Sequence, residues 1–181
     1  TLLRESGLGR WEGDAAAMRQ RFPQMRFADN ESGFIETDTG ALIAGRGVQA
    51  VVADAGLEAI RAQVGAPKQL PDGHYQIGDR TARHVVYACG PWLPKVFPEV
   101  LGGRIFATRQ EVLHFGARAG DNRFAAPALP VWIDSDPKDF AYGFPDIEGQ
   151  GFKIAFDTHG PDVDPDTQSR QVSAEGVARA R

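Results

Sequence analysis

Residues 142–157, Tyr-Gly-Phe-Pro-Asp-Ile-Glu-Gly-Gln-Gly-Phe-Lys-Ile-Ala-Phe-Asp, constrain the fold more than any other stretch. Two apolar segments flank a centre rich in Pro, Asp and Gly, the pattern of a β-hairpin. Period-two alternation sets Lys153, Ala155 and Asp157 on one face and Phe152, Ile154 and Phe156 on the other. The phenylalanine face is expected to pack, which leaves the lysine face for any chemistry. With the turn centred on residues 146–150, Tyr142 is expected opposite or nearly opposite Lys153, so that a phenol and an ammonium converge. Lys153 and Asp157 stand roughly 13 Å apart along a regular strand at ~3.3 Å per residue. That spacing precludes a direct ion pair and suits the bracketing of a ligand.

Composition narrows the function classes. The chain has 181 residues, 42% apolar and 24% charged, enough to bury a core without staples. No apolar run approaches the ~20 residues of a membrane-spanning helix. The net charge of −4, with no block of Lys or Arg, argues against nucleic acid or an anionic membrane as partner and for small-molecule chemistry. The single cysteine, Cys89, allows no internal disulfide and points to a reducing, cytoplasmic setting. It lies in the apolar run Val85-Val-Tyr-Ala-Cys89 and is expected to be a buried small hydrophobe. The chain begins at Thr1 without a recognisable signal peptide, as expected of a piece of a longer protein.

Upstream of the hairpin, Asp14 stands as a cap ahead of good helix formers that Pro23 closes off. A second helix is expected over 46–55: Val48, Val51, Val52 and Ala55 fall at i, i+3, i+4 and i+7, giving one buried stripe, and Gly56 supplies the stop. Residues 57–64 are open between helix and strand, since Leu57, Ile60 and Val64 keep helical spacing in a short segment directly after a stop. Past the turn signal Pro71-Asp-Gly73, a strand over 74–77 is expected to return through Gly78-Asp79 into a buried strand over 82–89. Gly90-Pro91-Trp92 then opens a short helix that Pro94 and Pro98 cut off. Residues 104–115 alternate as a long strand, 131–133 as a short one, and Ser173 caps a final helix. The change to antiparallel strands sets a domain boundary near residue 100.

Several chemistries lack residue support. Asp162-Val-Asp164-Pro-Asp166 has the first acidic positions of a calcium loop, but Thr167 replaces the turn glycine and Ser173 the bidentate glutamate. His74, His84, His114 and His159 show no paired ligand spacing, so no metal site is expected. Neither a nucleophile elbow nor a phosphate-binding Gly-x-x-x-x-Gly-Lys run occurs.

Four blocks in order resemble the FAD-dependent amine oxidoreductases of the sarcosine-oxidase and D-amino-acid-oxidase-like family. They are Arg21-Phe-Pro23 with Gly40-Ala-Leu-Ile43; Val85-Val-Tyr-Ala-Cys-Gly-Pro-Trp92; Arg109-Gln110; and Tyr142 through Thr167. The resemblance implies an α+β chain, with a mixed, largely antiparallel substrate-domain sheet, flanking helices and part of an FAD-binding domain. On it, residues 1–100 are partial FAD-binding domain with interleaved substrate-domain segments, residues 101–181 are substrate-domain sheet, and 57–64 is a strand. It further implies that Lys153 lies over the flavin and activates oxygen, that Tyr142 lines the substrate cavity, and that Val64, Gly90, Pro91 and Trp92 border the FAD. A fixed cation there stabilises the anion formed when oxygen takes its first electron. Asp157 stands where sarcosine oxidase has a histidine, which argues against sarcosine and for a more basic amine.

The implied reaction is oxidation of a secondary amine or amino acid by hydride transfer to FAD, with molecular oxygen as acceptor. The dinucleotide fingerprint Gly-x-Gly-x-x-Gly is absent from the chain. The chain is therefore expected to be the middle of such a protein, neither binding FAD tightly nor turning over alone. Two other readings stay open: a same-fold dehydrogenase with another electron acceptor, and a non-catalytic binding or assembly module that has lost the cofactor.

Overall fold

The structure, a computed structural model, describes residue 7 and residues 9–181. In chain order the strands are β1 (Arg10–Asp14), β2 (Ser32–Glu36), β3 (Lys68–Gln69), β4 (Tyr75–Ile77), β5 (Arg80–Ala82), β6 (Val112–Phe115), β7 (Trp132–Asp134), β8 (Ala141–Phe144) and β9 (Phe152–Phe156). The helices are α1 (Ala15–Arg21), α2 (Ala44–Asp54), α3 (Leu93–Val96), α4 (Pro98–Leu101) and α5 (Ala174–Arg179). The fold is α+β, and every ladder between these strands is antiparallel. Two interleaved units result. One holds the described residues up to Ala44 with Gln110–Thr158 and Val172–Arg181, the other Gly45–Arg109 with His159–Gln171.

In the first unit, β1 pairs with β2 and ends at Asp14, whose carboxylate caps α1 by accepting from the Ala17 N–H at 2.9 Å. Ala15 and Met18 on α1 are buried. The larger sheet runs β6-β9-β8-β7. Leu113 and Ala141 are buried on one side, where Phe152 stacks between Phe115 and Phe124 at ring-centroid distances of 5.6 and 4.6 Å. Helix α5 is held on this side from both ends. The Ser173 N–H and hydroxyl each donate to the Glu111 carboxylate at 2.8 Å, and the Arg179 guanidinium lies 3.8 Å over Phe156. Phenylalanine packing and the α5 contacts make this the covered face.

The structure departs from the sequence expectations in several places, most of them set by which partner an apolar segment finds. Helix α2 forms, but Val48 and Val51 are exposed, because no layer of the described residues covers the apolar stripe. Residues 57–64 are neither helix nor strand, since no neighbouring strand takes up their backbone groups. The return strand of the β4–β5 hairpin stops at Ala82, leaving Val86 89% exposed, and Cys89 is half-buried rather than buried. The long strand over 104–115 shortens to 112–115, because β9 offers a ladder only that far. Residues 107–109 pair elsewhere: the Val163 N–H donates to the Ala107 carbonyl at 2.9 Å and the Arg109 N–H to the Pro161 carbonyl at 3.0 Å. Pro94 does not cut the helix at Gly90–Trp92. It sits within the first turn of α3, where its missing N–H costs nothing.

Candidate functional site

The lysine face is built by register. Lys153 on β9 lies between His114 on β6 and Phe144 on β8, and Ala155 lies between Val112 and Tyr142. Tyr142 is therefore in the next pair on the same face, two ladder pairs from Lys153, not opposite it. The cause is the turn. Glu148 and Gly149 take consecutive positive φ values of 60° and 77°, the requirement of a tight hairpin, so the turn centres one residue later than a Tyr142–Lys153 pair needs. Two aromatic rings still converge on the ammonium, which sits 3.9 Å from the Phe144 centroid and 5.6 Å from that of Tyr142. Such contacts contribute on the order of 0.5–2 kcal/mol each, more as water is excluded. Among the described residues no carboxylate pairs with Lys153. The cation is thus held by ring faces and left uncompensated.

The same face continues past the end of β9. The Asp157 N–H donates to the Phe140 carbonyl at 2.9 Å, and the Gln110 amide donates to Asp157 Oδ1 at 3.2 Å and to the Thr158 carbonyl at 3.4 Å. Both contacts preserve the registers of the β8–β9 and β6–β9 ladders, so Gln110, Asp157 and Phe140 form the next row. Asp157 consequently lies on the lysine side, with the Ala155 row between them. Val112 and Ile133 on this face are exposed, while Ala155 between Val112 and Tyr142 is buried by its own neighbours, so no further element of the described residues packs over the row. Gln110, His114 and Phe144 escaped the sequence reading as site neighbours. Alternation through 110, 112 and 114 was the signal for two of them, but pairing with β9 is a tertiary fact.

The four residues expected at a cofactor lie in the second unit. Gly90, Pro91 and Trp92 form an exposed 3-10 turn, with Gly90 at φ +50° and nothing within 4 Å of where a side chain would project. That open glycine backbone is compatible with close approach of a planar ring. Trp92 Nε1 donates to Asp166 Oδ1 at 2.7 Å; Lys95 bridges Asp166 and Asp164, the latter at 2.5 Å. Hydrogen bonds from Lys95, first in effect for both, hold the two carboxyls below the usual carboxylate range, and Trp92 adds to this at Asp166. The same bonds, Asp164 first, raise the Lys95 ammonium. Val64 is exposed, and its neighbour Gly65 is tied to this region by the Tyr87 hydroxyl, which donates to the Gly65 carbonyl at 2.8 Å.

A cavity of about 260 Å³ lies beside the turn, lined by Pro91, Pro94, Lys95, Ile105, Asp164 and Pro165 among others. It is too small for a dinucleotide on its own. Another, of about 480 Å³, is lined by Arg19, Pro23, Met25, Arg26 and Phe27 and includes none of the expected site residues. No group of acidic, histidine or cysteine side chains among the described residues is arranged to hold a metal, and no described helix is long and apolar enough to cross a membrane.

No family model and no curated protein matches the chain. Among solved structures it is similar to NikD in its open form, described as an unusual amino acid oxidase essential for nikkomycin biosynthesis. The likeness has a TM-score of 0.63 at 19% identity, over 98% of this chain and 48% of NikD. The chain thus spans about half the length of that protein and shares its fold over that span.

Proposed function

We propose that the protein containing this chain is an FAD-dependent oxidoreductase of the sarcosine-oxidase-like group that oxidises a secondary amine or amino acid. The observation that carries the reading is Lys153: a cation that no carboxylate of the described residues pairs with, held by two aromatic rings on one face of an antiparallel sheet. The fold likeness to an amino acid oxidase and the open Gly90 turn support it. FAD, when bound, supplies the hydride acceptor. Lys153 is the residue that steadies negative charge developing on oxygen, Tyr142 walls the substrate space, and Asp157 receives positive charge on the substrate. Val64, Gly90, Pro91 and Trp92 are the residues proposed to border the cofactor. With oxygen as acceptor, amine plus oxygen gives imine plus hydrogen peroxide, so the balance needs no further reagent.

Two measurements test this. The 300–500 nm spectrum of the full-length protein, purified without added flavin, is expected to show flavin bands. In stopped flow, Lys153→Met is expected to slow reoxidation by oxygen about 100-fold while leaving reduction by the amine nearly unchanged. Equal loss of both steps would reassign Lys153 to binding. Fast reoxidation by artificial acceptors but not by oxygen would favour the same-fold dehydrogenase. Absence of flavin even after FAD is added would favour the binding or assembly module.

A further inference from the structure

Asp157 and its neighbours deepen that reading, on which this inference rests. Asp157 is exposed, and among the described residues its one hydrogen bond to a side chain comes from Gln110, at Oδ1. The Gln110 Nε2 also donates to the Thr158 carbonyl, so the amide is held from two sides. Oδ2 has no partner among the described residues. Arg179, the basic residue that approaches Thr158 at this end of the sheet, is committed to Asp139 and lies over Phe156 on the opposite face. The carboxylate is therefore positioned, directed and uncompensated.

At the other end of the face stands an equally uncompensated ammonium, Lys153, with His114 across the strand from it. Two strand positions on from each charge lies the smallest side chain of the face, Ala155, with Val112 and Tyr142 on either side. A surface with a free cation at one end, a free anion at the other and an apolar middle row matches a molecule of the inverse pattern. We infer that the lysine face selects dibasic amino acids, with Asp157 receiving the distal cation and Gln110 acting as the residue that positions Asp157. A carboxylate on the same molecule is drawn to the Lys153 end. Roughly 13 Å of strand between the two charges requires several bonds between the groups they hold, so compact amino acids such as sarcosine cannot satisfy both ends.

The test uses the full-length protein and two probes, lysine and norleucine, compared by isothermal titration. Lysine is expected to bind at least 10-fold more tightly. Asp157→Asn is expected to erase that preference, and Gln110→Ala to reduce it several-fold without altering the circular dichroism spectrum. In turnover, Gln110→Ala is expected to raise KM for a dibasic substrate with kcat held, and Asp157→Asn to lower the ratio of kcat/KM between dibasic and neutral substrates 10-fold or more. Equal affinity for the two probes in the wild type, or a preference that survives Asp157→Asn, would overturn the inference. A protein without flavin or turnover that still prefers lysine through Asp157 would retain this cation site and refute the oxidoreductase reading instead.

Discussion

At the scale of single residues, what a side chain does here depends on whether a second layer reaches it. Leu129 is 3% exposed and Val86 is 89% exposed, although both are branched aliphatics in apolar runs. Truncating Leu129 to alanine removes packed methyl groups and is expected to cost about 3 kcal/mol in urea unfolding. Val86→Ala is expected to change stability by less than about 0.5 kcal/mol, and a larger loss would show that Val86 is covered in solution. The same contrast separates the two lysines of interest. Lys95 is neutralised by two carboxylates, whereas among the described residues Lys153 meets ring faces and no carboxylate, which is why the second and not the first is assigned a reactive role.

At the scale of elements, the second unit is tied together by contacts far apart in sequence. The Trp92–Asp166–Lys95–Asp164 cluster fastens the Gly90–Trp92 turn and α3 to the segment 164–166. Its pH dependence has a definite sign. Both carboxyls are depressed in the folded state, so their contribution is complete above the unfolded value of about 4 and is lost as pH falls through the lower folded values. The raised Lys95 contributes below its unfolded value, about 10.4, and loses that contribution only as pH rises through the higher folded one. Trp92 fluorescence is expected to change on acidification below pH 4 in the wild type, and Asp166→Ala is expected to show the acid-state signal already at pH 7. A wild-type signal flat from pH 7 to pH 2 would mean the cluster does not form. Gly160 is a second such point. A side chain there would collide with the Arg109 carbonyl, across the pairing of 107–109 with 161–163. Gly160→Ala is expected to cost about 1–3 kcal/mol, read as a lower urea midpoint.

Across the whole molecule, burial is sparse. Six apolar residues form the buried core of the described chain, while Leu42, Val48, Val51, Leu57, Ile60 and Val64 lie exposed within one stretch of sequence. An apolar-surface dye such as ANS is expected to fluoresce strongly with this chain at neutral pH, and a response no greater than that of a well-packed monomer would show those side chains to be covered. The uncovered stripe of α2 also explains where sequence reading stopped. Helical spacing at 48, 51 and 52 was legible because it needs only the helix's own period. The burial it implied was not, because burial belongs to a pair of elements. Residues 57–64 and 82–89 illustrate the same limit, since an apolar segment becomes a strand only when another backbone takes up its hydrogen bonds.

The sequence by itself determined the local devices: the Asp14 and Ser173 caps, the stop after α2, the 142–157 hairpin and the two faces of its return strand. Each depends on neighbours within a few residues, where backbone sterics and short-range hydrogen bonds decide. Tertiary structure alone decided the register that sets Phe144 beside Lys153, the placement of Gln110 against Asp157, the capture of Asp166 by Trp92 and Lys95, and which apolar faces stay open. Those depend on segments some tens of residues apart, whose meeting no local period encodes. The lysine face was readable as a face; the groups that converge on it were settled by the strands that flank it.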